Sequence, residues 1–389
     1  MKAPSDFIPF ARPSIGSEEE EAVLAVLRSG WLTTGKVALA FEEEFASFVG
    51  SGRALAVNSA TSGLHLALEA LGVGPGDKVA MSPYTFASDA AAARHLGAEV
   101  AFCDVAEGSY NLDPALLEEL LEREGPIKAV VPVHVGGMPC EMGPILDAAR
   151  RKGAAVVEDC AHAFPLRLPE GAAGTLGDIG FYSFYATKTI TTGDGGMVVA
   201  RDAAILRRME LMRSHGFDRG AWDRYTSKAA SWRYDVVEAG FKYNLPDLLA
   251  AVGREQLKKA DLFLEQRRAI AARYDAAFAG HPALEAPPRG KAHSWHLYSL
   301  RLRPEALSIG RDEFASRLQA AGIGISVHFI PLHLMSYWAA RYDLKPEDYP
   351  RAYGAFARTI SLPIWQGMSE AQADRVAEAV LGIAREARA

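Results

Sequence analysis

Cysteine is scarce in this sequence. Cys103, Cys140 and Cys160 stand far apart among 389 residues. They form no CxxC pair and no even framework, which excludes a disulfide-stapled scaffold and points to a reducing cytoplasm. Long apolar runs are missing too, so no bilayer span is expected. The opening MKAPSDFIPF lacks the apolar core of a secretory signal. Positive charge is in deficit, and a net charge of −6 leaves no electrostatic footprint for nucleic acid. An anionic ligand stays open, because a site can be locally basic on an acidic protein. Neither HExxH nor CxxC accompanies the ten histidines, so no metal is expected. His134, His293, His296, His328 and His333 are too scattered to argue ligation. GxGxxG is missing from the first strand–turn, which reads NSATSG and argues against a dinucleotide fold. Internal repeats and low-complexity tracts are also lacking.

What is present is a run of apolar strands alternating with helices. The chain is long enough for two domains. After an extended arm over 1–13, Ser17 and Glu20 form a capping-box pattern for a helix that ends near Gly30. A second helix over 37–49 carries Phe41, Phe45 and Phe48 on one face. Strands are predicted over 54–57, 78–81, 99–103, 127–133 and 154–157. Helices are predicted over 64–71, up to 95, over 113–122 and over 144–152. Strands this apolar imply a parallel sheet covered on both faces. Ligands bind outside the carboxyl ends of such strands. Ser59, Thr61, Phe86, His134, Asp159 and His162 all fall at such ends. Further on come a helix over 203–213, a polar and aromatic loop over 217–240 and one long helix over 248–278. Strands over 294–302 and 324–330 and helices over 311–321 and 369–385 read as a smaller α+β domain. The expected division is 1–250 and 251–389.

The stretch GTLGDIGFYSFYATKTITTGDGGMVV at 174–199 holds the chemistry. Alternating residues over 179–185 read as a half-buried strand, Lys188 follows it, and a Gly-rich turn leads to a second strand. A lysine between two strands suits Schiff-base chemistry; it also suits an ordinary exposed loop. NSATSG opening a helix offers backbone N–H groups and the hydroxyls of Ser59, Thr61 and Ser62 to a phosphate, while serving as N-caps. Pyridoxal phosphate would make four demands: an amine, a carboxylate for the ring nitrogen, donors for the phosphate, and a stacking group. Lys188 supplies the amine, although at its ordinary pKa of about 10.4 it is protonated, so the site must depress it. Freed by a substrate amine, it can shuttle a proton to the substrate carbon. Asp159 ends an apolar strand, where a carboxylate needs a partner; the other reading is a turn cap. Ser183 lies on the path to Lys188 and reaches the phosphate end, or is a routine strand serine. Phe86 or Tyr84 stacks on the ring or packs in the core. His162 bonds the ring's 3-hydroxyl or is a satisfied structural histidine. Cys160 reads as a buried structural thiol.

These residues sit in stretches that resemble the DegT/DnrJ/EryC1/StrS nucleotide-sugar aminotransferases of the fold-type I superfamily. The stretches are GWLTTG at 30–35, NSATSGLHLAL at 58–68, SPYTFAS at 82–88, VPVHVGG at 131–137, VEDCAHA at 157–163, GDIGFYSFYATKTITTGDGGMV at 177–198, GFKYNLPD at 240–247 and WHLYSLRL at 295–302. The resemblance implies an α/β fold: a mostly parallel seven-stranded sheet between helices, plus a smaller C-terminal α+β domain. It implies pyridoxal 5'-phosphate bound by Lys188, with Asp159 on the pyridine nitrogen, Phe86 stacking and His162 at the 3-hydroxyl. Ala60, Thr61 and Ser183 would bind phosphate, joined by Asn244 from the other subunit of a homodimer with shared sites. Members that dehydrate sugars carry histidine where this chain has Lys188, so transamination is implied. Many members have Gln where this chain has His162. AHA, GFKYN and VHF look most like the members that aminate a UDP-4-keto-pentose or 4-keto-hexose, such as the 4-amino-4-deoxy-arabinose lipid A pathway enzyme. The expected reaction moves an amino group from glutamate, leaving 2-oxoglutarate, to a nucleotide-linked keto-sugar for polysaccharide biosynthesis. Trp31, His215, His328 and Tyr337 are candidate substrate contacts. A sugar dehydratase on the same cofactor and a non-catalytic regulatory member are the alternatives.

Overall fold

The structure is a computed structural model that describes residues 7–219, 222, 232–290 and 292–389. The first six residues of the expected arm, and much of the expected 217–240 loop, lie outside them. The helices are α1 (Ser17–Ser29), α2 (Lys36–Val49), α3 (Ala60–Ala70), α4 (Ala87–His95), α5 (Pro114–Arg123), α6 (Met142–Arg151), α7 (Ala203–Met212), α8 (Asp247–Lys258), α9 (Ala260–Phe278), α10 (Arg311–Ala320), α11 (Ser336–Tyr342), α12 (Pro350–Arg358) and α13 (Glu370–Glu386). The strands are β1 (Ala54–Val57), β2 (Lys78–Met81), β3 (Glu99–Phe102), β4 (Ala129–Val131), β5 (Ala155–Asp159), β6 (Arg167–Leu168), β7 (Gly171–Ala172), β8 (Ile179–Ser183), β9 (Gly196–Ala200), β10 (Leu284–Glu285), β11 (Tyr298–Leu302) and β12 (Thr359–Leu362).

Seven strands form one sheet in the order β1-β9-β8-β5-β4-β2-β3. Only β9 runs against the rest, pairing antiparallel with both β1 and β8. The sheet is therefore mostly parallel, as the sequence implies. Alternation along each strand feeds two cores. Leu55 and Val57 pack with α3 and α4 residues on one face, while Ala54 and Ala56 meet Phe41, Phe45 and Tyr182 on the other. Covering both faces is what a parallel sheet requires. A second sheet, β10-β11-β12, is antiparallel. Its core draws on Ile270 and residues beyond it, together with Ile8 from the N-terminal segment.

Several local expectations are corrected. The strand carrying the chemistry is buried along its whole length rather than half-buried, because β5 and β9 flank it in the middle of the sheet. The helix expected over 64–71 begins four residues earlier, at Ala60, with Ser59 Oγ accepting the Ser62 N–H at 3.1 Å. The cap of α1 is Gly16, not Ser17; Glu19, held inward by Lys259 at 2.8 Å and Gln256 at 2.7 Å, closes the box on the Gly16 N–H. The long helix over 248–278 is two helices that divide at Lys259. The apolar pattern runs through that break (Leu257, Ala260, Phe263), which is why periodicity does not reveal it. No strand forms over 324–330. That segment carries a cis His328–Phe329 bond and, among the described residues, makes the single bridge Ser326–Ser361.

The N-terminus of α2 has no cap of its own, since Gly35 has no side chain to accept a bond. Asp247 substitutes from the start of α8, 1% exposed. Its Oδ1 accepts from Gly35 at 2.7 Å and Ala38 at 2.9 Å, and its Oδ2 accepts from Val37 at 3.3 Å. An anion at a helix N-terminus is favoured by the dipole, and removing it strands three donors. Asp247→Ala should therefore lower the unfolding free energy by about 3 kcal/mol. Chemical denaturation of the variant against the parent measures it.

Candidate active site

The site forms where the carboxyl ends of β1, β2, β5 and β8 converge. Asp159 is the last residue of β5 and is buried, its Oδ1 accepting the Ala161 N–H at 2.8 Å. Lys188 sits in the turn after β8, its backbone N–H bonded to the Tyr185 carbonyl at 2.9 Å. Burial lowers the Lys188 amine to about 8, against the pull of the Asp159 charge; the Arg267 cation adds to the drop and Asp89 resists it. Burial also raises Asp159, while the Ala161 N–H and the Lys188 charge hold it back down. Sequence distance conceals this pairing, and the parallel neighbours β5 and β8 create it.

The phosphate corner lies at the start of α3. Ser59 caps it, with its Oγ on the Ser62 N–H and its carbonyl on the Gly63 N–H. That leaves Ala60 and Thr61 at the open end of the helix, where backbone N–H groups and the dipole attract anions. Gly196 faces this turn so closely that a Cβ there would lie 2.9 Å from the Ala60 nitrogen. Ser183 pairs with Gly196 across the β8–β9 ladder, and its Oγ accepts the Tyr185 N–H at 3.3 Å. Asn244 forms a bridge with Val57 at the end of β1, and its Nδ2 donates to Thr34 Oγ1.

Of the two candidate stacking rings, Tyr84 is fully buried and donates its hydroxyl to the His328 carbonyl at 2.7 Å, whereas Phe86 is 62% exposed at the start of α4. Phe86 alone is accessible to a ligand. His162 is buried, and its Nδ1 accepts the Gly136 N–H at 3.2 Å, which places the ring proton on Nε2. Burial and then the Lys188 charge hold it well below the ordinary histidine range, so the ring is neutral. His328 joins the group: its Nδ1 meets Ser361 Oγ at 3.0 Å, and burial pulls it down to about 4.

Other candidates lie elsewhere. His134 ends a strand but is locked in the core, its Nε2 on Glu158 at 3.1 Å and its Nδ1 accepting the Cys140 N–H. Glu158 also accepts three N–H groups, from Gly174, Leu176 and Gly177. Although His134, Glu158 and Cys160 offer ligand atoms within 4.8 Å of one another, the carboxylate is already spent. Trp31 lines a cleft of about 600 Å³ between α1, α2 and α8, its ring edge-on to Trp222. His215 is exposed in a left-handed turn after α7, beside Phe217. Tyr337 stands exposed on α11, edge-on to Trp338 near β3.

Three residues that the sequence reading passed over belong to the site. Asp89, in the first turn of α4, is buried, with Thr85 Oγ1 donating to its Oδ2 at 2.6 Å, and burial followed by the Asp159 charge pushes it well above the carboxylate range; in sequence it looks like an ordinary first-turn acid. His296 is buried and packs tilted against His162 at 4.3 Å between centroids, its Nδ1 without a hydrogen bond. Arg267 is buried in α9 and donates to the carbonyls of Trp295, His296 and Ile364. Nothing in a polar helical pattern marks it as buried.

The profile of the DegT/DnrJ/EryC1/StrS aminotransferase family matches residues 13–381. The chain belongs to this family. It is 42% identical over 383 residues to the spore coat polysaccharide biosynthesis protein SpsC of Bacillus subtilis, covering 97% of each chain. Among solved structures, the putative sugar aminotransferase Spr1654 of Streptococcus pneumoniae superposes in its PMP form with a TM-score of 0.90 at 27% identity, covering 97% of this chain and 99% of that one. The aminotransferase PseC of Helicobacter pylori, involved in the biosynthesis of pseudoaminic acid, superposes with a TM-score of 0.90 at 27% identity, covering 98% of this chain and all of that one. The chain is thus a fold-type I aminotransferase, and the cofactor of its family is pyridoxal 5'-phosphate. The residues fit that group. A depressed amine and a buried acid lie within electrostatic reach of each other, Gly196 leaves room at the start of α3, and the His296 Nδ1 is an unpartnered polar atom beside His162.

A pKa near 8 has a direct consequence. The neutral amine is the reactive form, so its fraction rises with pH through that value. Capture of added pyridoxal phosphate by the cofactor-free protein, trapped by borohydride at short times, should rise with an inflection near about 8 and be lost in Lys188→Ala.

Proposed function

We propose that the protein moves an amino group from glutamate to the keto carbon of a nucleotide-linked sugar, with a UDP-4-keto-sugar as the expected acceptor. The observation that carries this reading is the half-buried Lys188 within electrostatic reach of the buried Asp159, beside the open start of α3. The relatives support a sugar as acceptor, since their descriptions concern polysaccharide and sugar biosynthesis. We also propose a homodimer in the cytoplasm, in which Asn244 serves the partner's phosphate, and a domain division near residue 250. Among the described residues, no helix is long and apolar enough to cross a membrane.

Bound pyridoxal phosphate supplies an aldehyde for amines and a ring that draws electrons from the neighbouring carbon. Lys188 holds the aldehyde end at rest. Once a substrate amine replaces it, Nζ carries a proton on and off the substrate carbon. Because the amine is depressed to about 8, it works as a base near neutral pH. Asp159 holds the proton at the ring nitrogen. His162, neutral with its proton on Nε2, orients the ring through the 3-hydroxyl, and Phe86 covers the exposed ring face. Ala60, Thr61 and Ser183 fix the phosphate. Trp31, His215, His328 and Tyr337 are the proposed sugar and nucleotide contacts. Of these, His328 packs against His162 in the pocket itself.

Glutamate alone should convert the aldehyde-loaded protein to its amine-loaded form, seen as a shift in the visible spectrum. UDP-, GDP- and dTDP-linked keto-sugars tested next should reverse it, the UDP-4-keto-sugars fastest. No conversion by glutamate would contradict aminotransfer from that donor, and reversal only by another nucleotide would correct the acceptor.

A further inference from the structure

The N-terminal arm docks on the second sheet's core. Ile8 is 2% exposed and packs in the cluster of Ile323, Ile360 and Leu362. Its N–H donates to the Gly322 carbonyl at 2.9 Å, and its carbonyl accepts the Gly324 N–H at 2.7 Å. The two bonds form a parallel bridge with Ile323. Gly324 allows this approach, since a Cβ there would stand 2.7 Å from the Phe10 nitrogen and 3.0 Å from the Ile8 carbonyl oxygen. Side chains two apart in an extended segment share a side. Phe10 follows Ile8 onto the same core, and its ring stacks on His328, 5.4 Å between centroids at 27°.

His328 belongs to the pocket. It stands edge-on to His162 at 6.2 Å and to Phe329 at 5.3 Å. Its carbonyl accepts the Tyr84 hydroxyl at 2.7 Å, and its Nδ1 meets Ser361 Oγ at 3.0 Å. Those bonds hold the backbone and one ring nitrogen. They leave the ring plane loose, because the imidazole torsion is broad and roughly two-fold. An aromatic ring laid on one face removes that freedom. With the plane held, Ser361 engages Nδ1 and leaves Nε2 as the nitrogen a ligand can use.

We propose that Phe10 is a positioning residue: its stacked ring fixes the His328 imidazole, so the N-terminal arm sets part of the substrate side of the pocket. This rests on the proposed role of His328 as a sugar or nucleotide contact. The Phe10 side chain has no titratable or hydrogen-bonding group, so its effect on the reaction passes through packing alone. A contact group displaced by a fraction of its bond length binds its substrate less well. Loosening His328 therefore weakens acceptor binding and falls on KM rather than kcat.

The test compares wild type, Phe10→Leu, Phe10→Tyr, His328→Ala and the double variant Phe10→Leu/His328→Ala, all loaded with pyridoxal phosphate. With 15N-labelled histidine, the His328 ring nitrogens are identified by their loss in His328→Ala. In wild type and Phe10→Tyr they should report one tautomer. In Phe10→Leu they should move toward the averaged values of a free imidazole. With the keto-sugar that best reverses the amine-loaded form, Phe10→Leu should raise KM about tenfold at little change in kcat, and Phe10→Tyr should restore it. Phe10→Leu should add nothing once His328 is replaced by alanine, since the two residues act as one unit. If Phe10→Leu fails to fold, Gly324→Ala, which crowds the arm, takes its place. Nitrogen shifts unchanged by Phe10→Leu, a KM unchanged while His328→Ala raises it, or a KM effect that persists in full on His328→Ala would overturn the proposal. A wild-type KM in His328→Ala would instead overturn the reading of His328 as a substrate contact, with the nitrogen shifts still reporting on the stack.

Discussion

A half-buried amine in the turn after β8 and a buried acid at the end of the neighbouring β5 set the terms for the rest of this structure. In low dielectric each disfavours its own charged form and favours the other's. Lys188 settles near 8, low enough to act as a base and a nucleophile, while burial raises Asp159 and the Ala161 N–H and the Lys188 charge hold it back. Neither group could keep that state in a flexible loop. Both need strands fixed in register, and β5 and β8 pair directly, with Asp159 opposite Phe181.

The surrounding framework serves that constraint through backbone contacts. Glu158, one residue before Asp159, takes the N–H groups of Gly174, Leu176 and Gly177 and thereby ties the loop that enters β8 to the end of β5. Gly196 brings β9 against the start of α3, so the anion corner and the lysine turn share one edge. Arg213 reaches under β1 to Glu42 and to the Ala56 carbonyl at 2.7 Å, anchoring the strand that leads into that corner. His162, His296 and His328 are held below the ordinary histidine range by burial, while Lys188 and His134 are the charges that reach Asp159.

Much of this was legible in the sequence. Apolar strands alternating with helices gave away the covered parallel sheet, and Asp159, Lys188 and the NSATSG turn could be placed at strand ends from order alone. The rest depended on contacts between distant residues. Asp89 hides among alanines as an unremarkable first-turn acid. Arg267 lies in a helix of alternating polar and apolar residues that looks solvated, yet its guanidinium ends against backbone carbonyls. His134 shares its strand-end position with site residues but turns inward, a choice made by Glu158 and not by spacing. The break at Lys259 left no trace in the apolar pattern, because the buried Leu257, Ala260 and Phe263 continue in phase across it, whereas the residues over 324–330 are half-buried or exposed.

The most direct measurement is a crystal structure of the protein grown with pyridoxal phosphate. The account expects continuous density from Lys188 Nζ to the cofactor aldehyde carbon, an Asp159 oxygen within hydrogen-bonding distance of the ring nitrogen, and the phosphate at Ala60 and Thr61. A cofactor bound elsewhere, or one whose ring nitrogen faces away from Asp159, would contradict it.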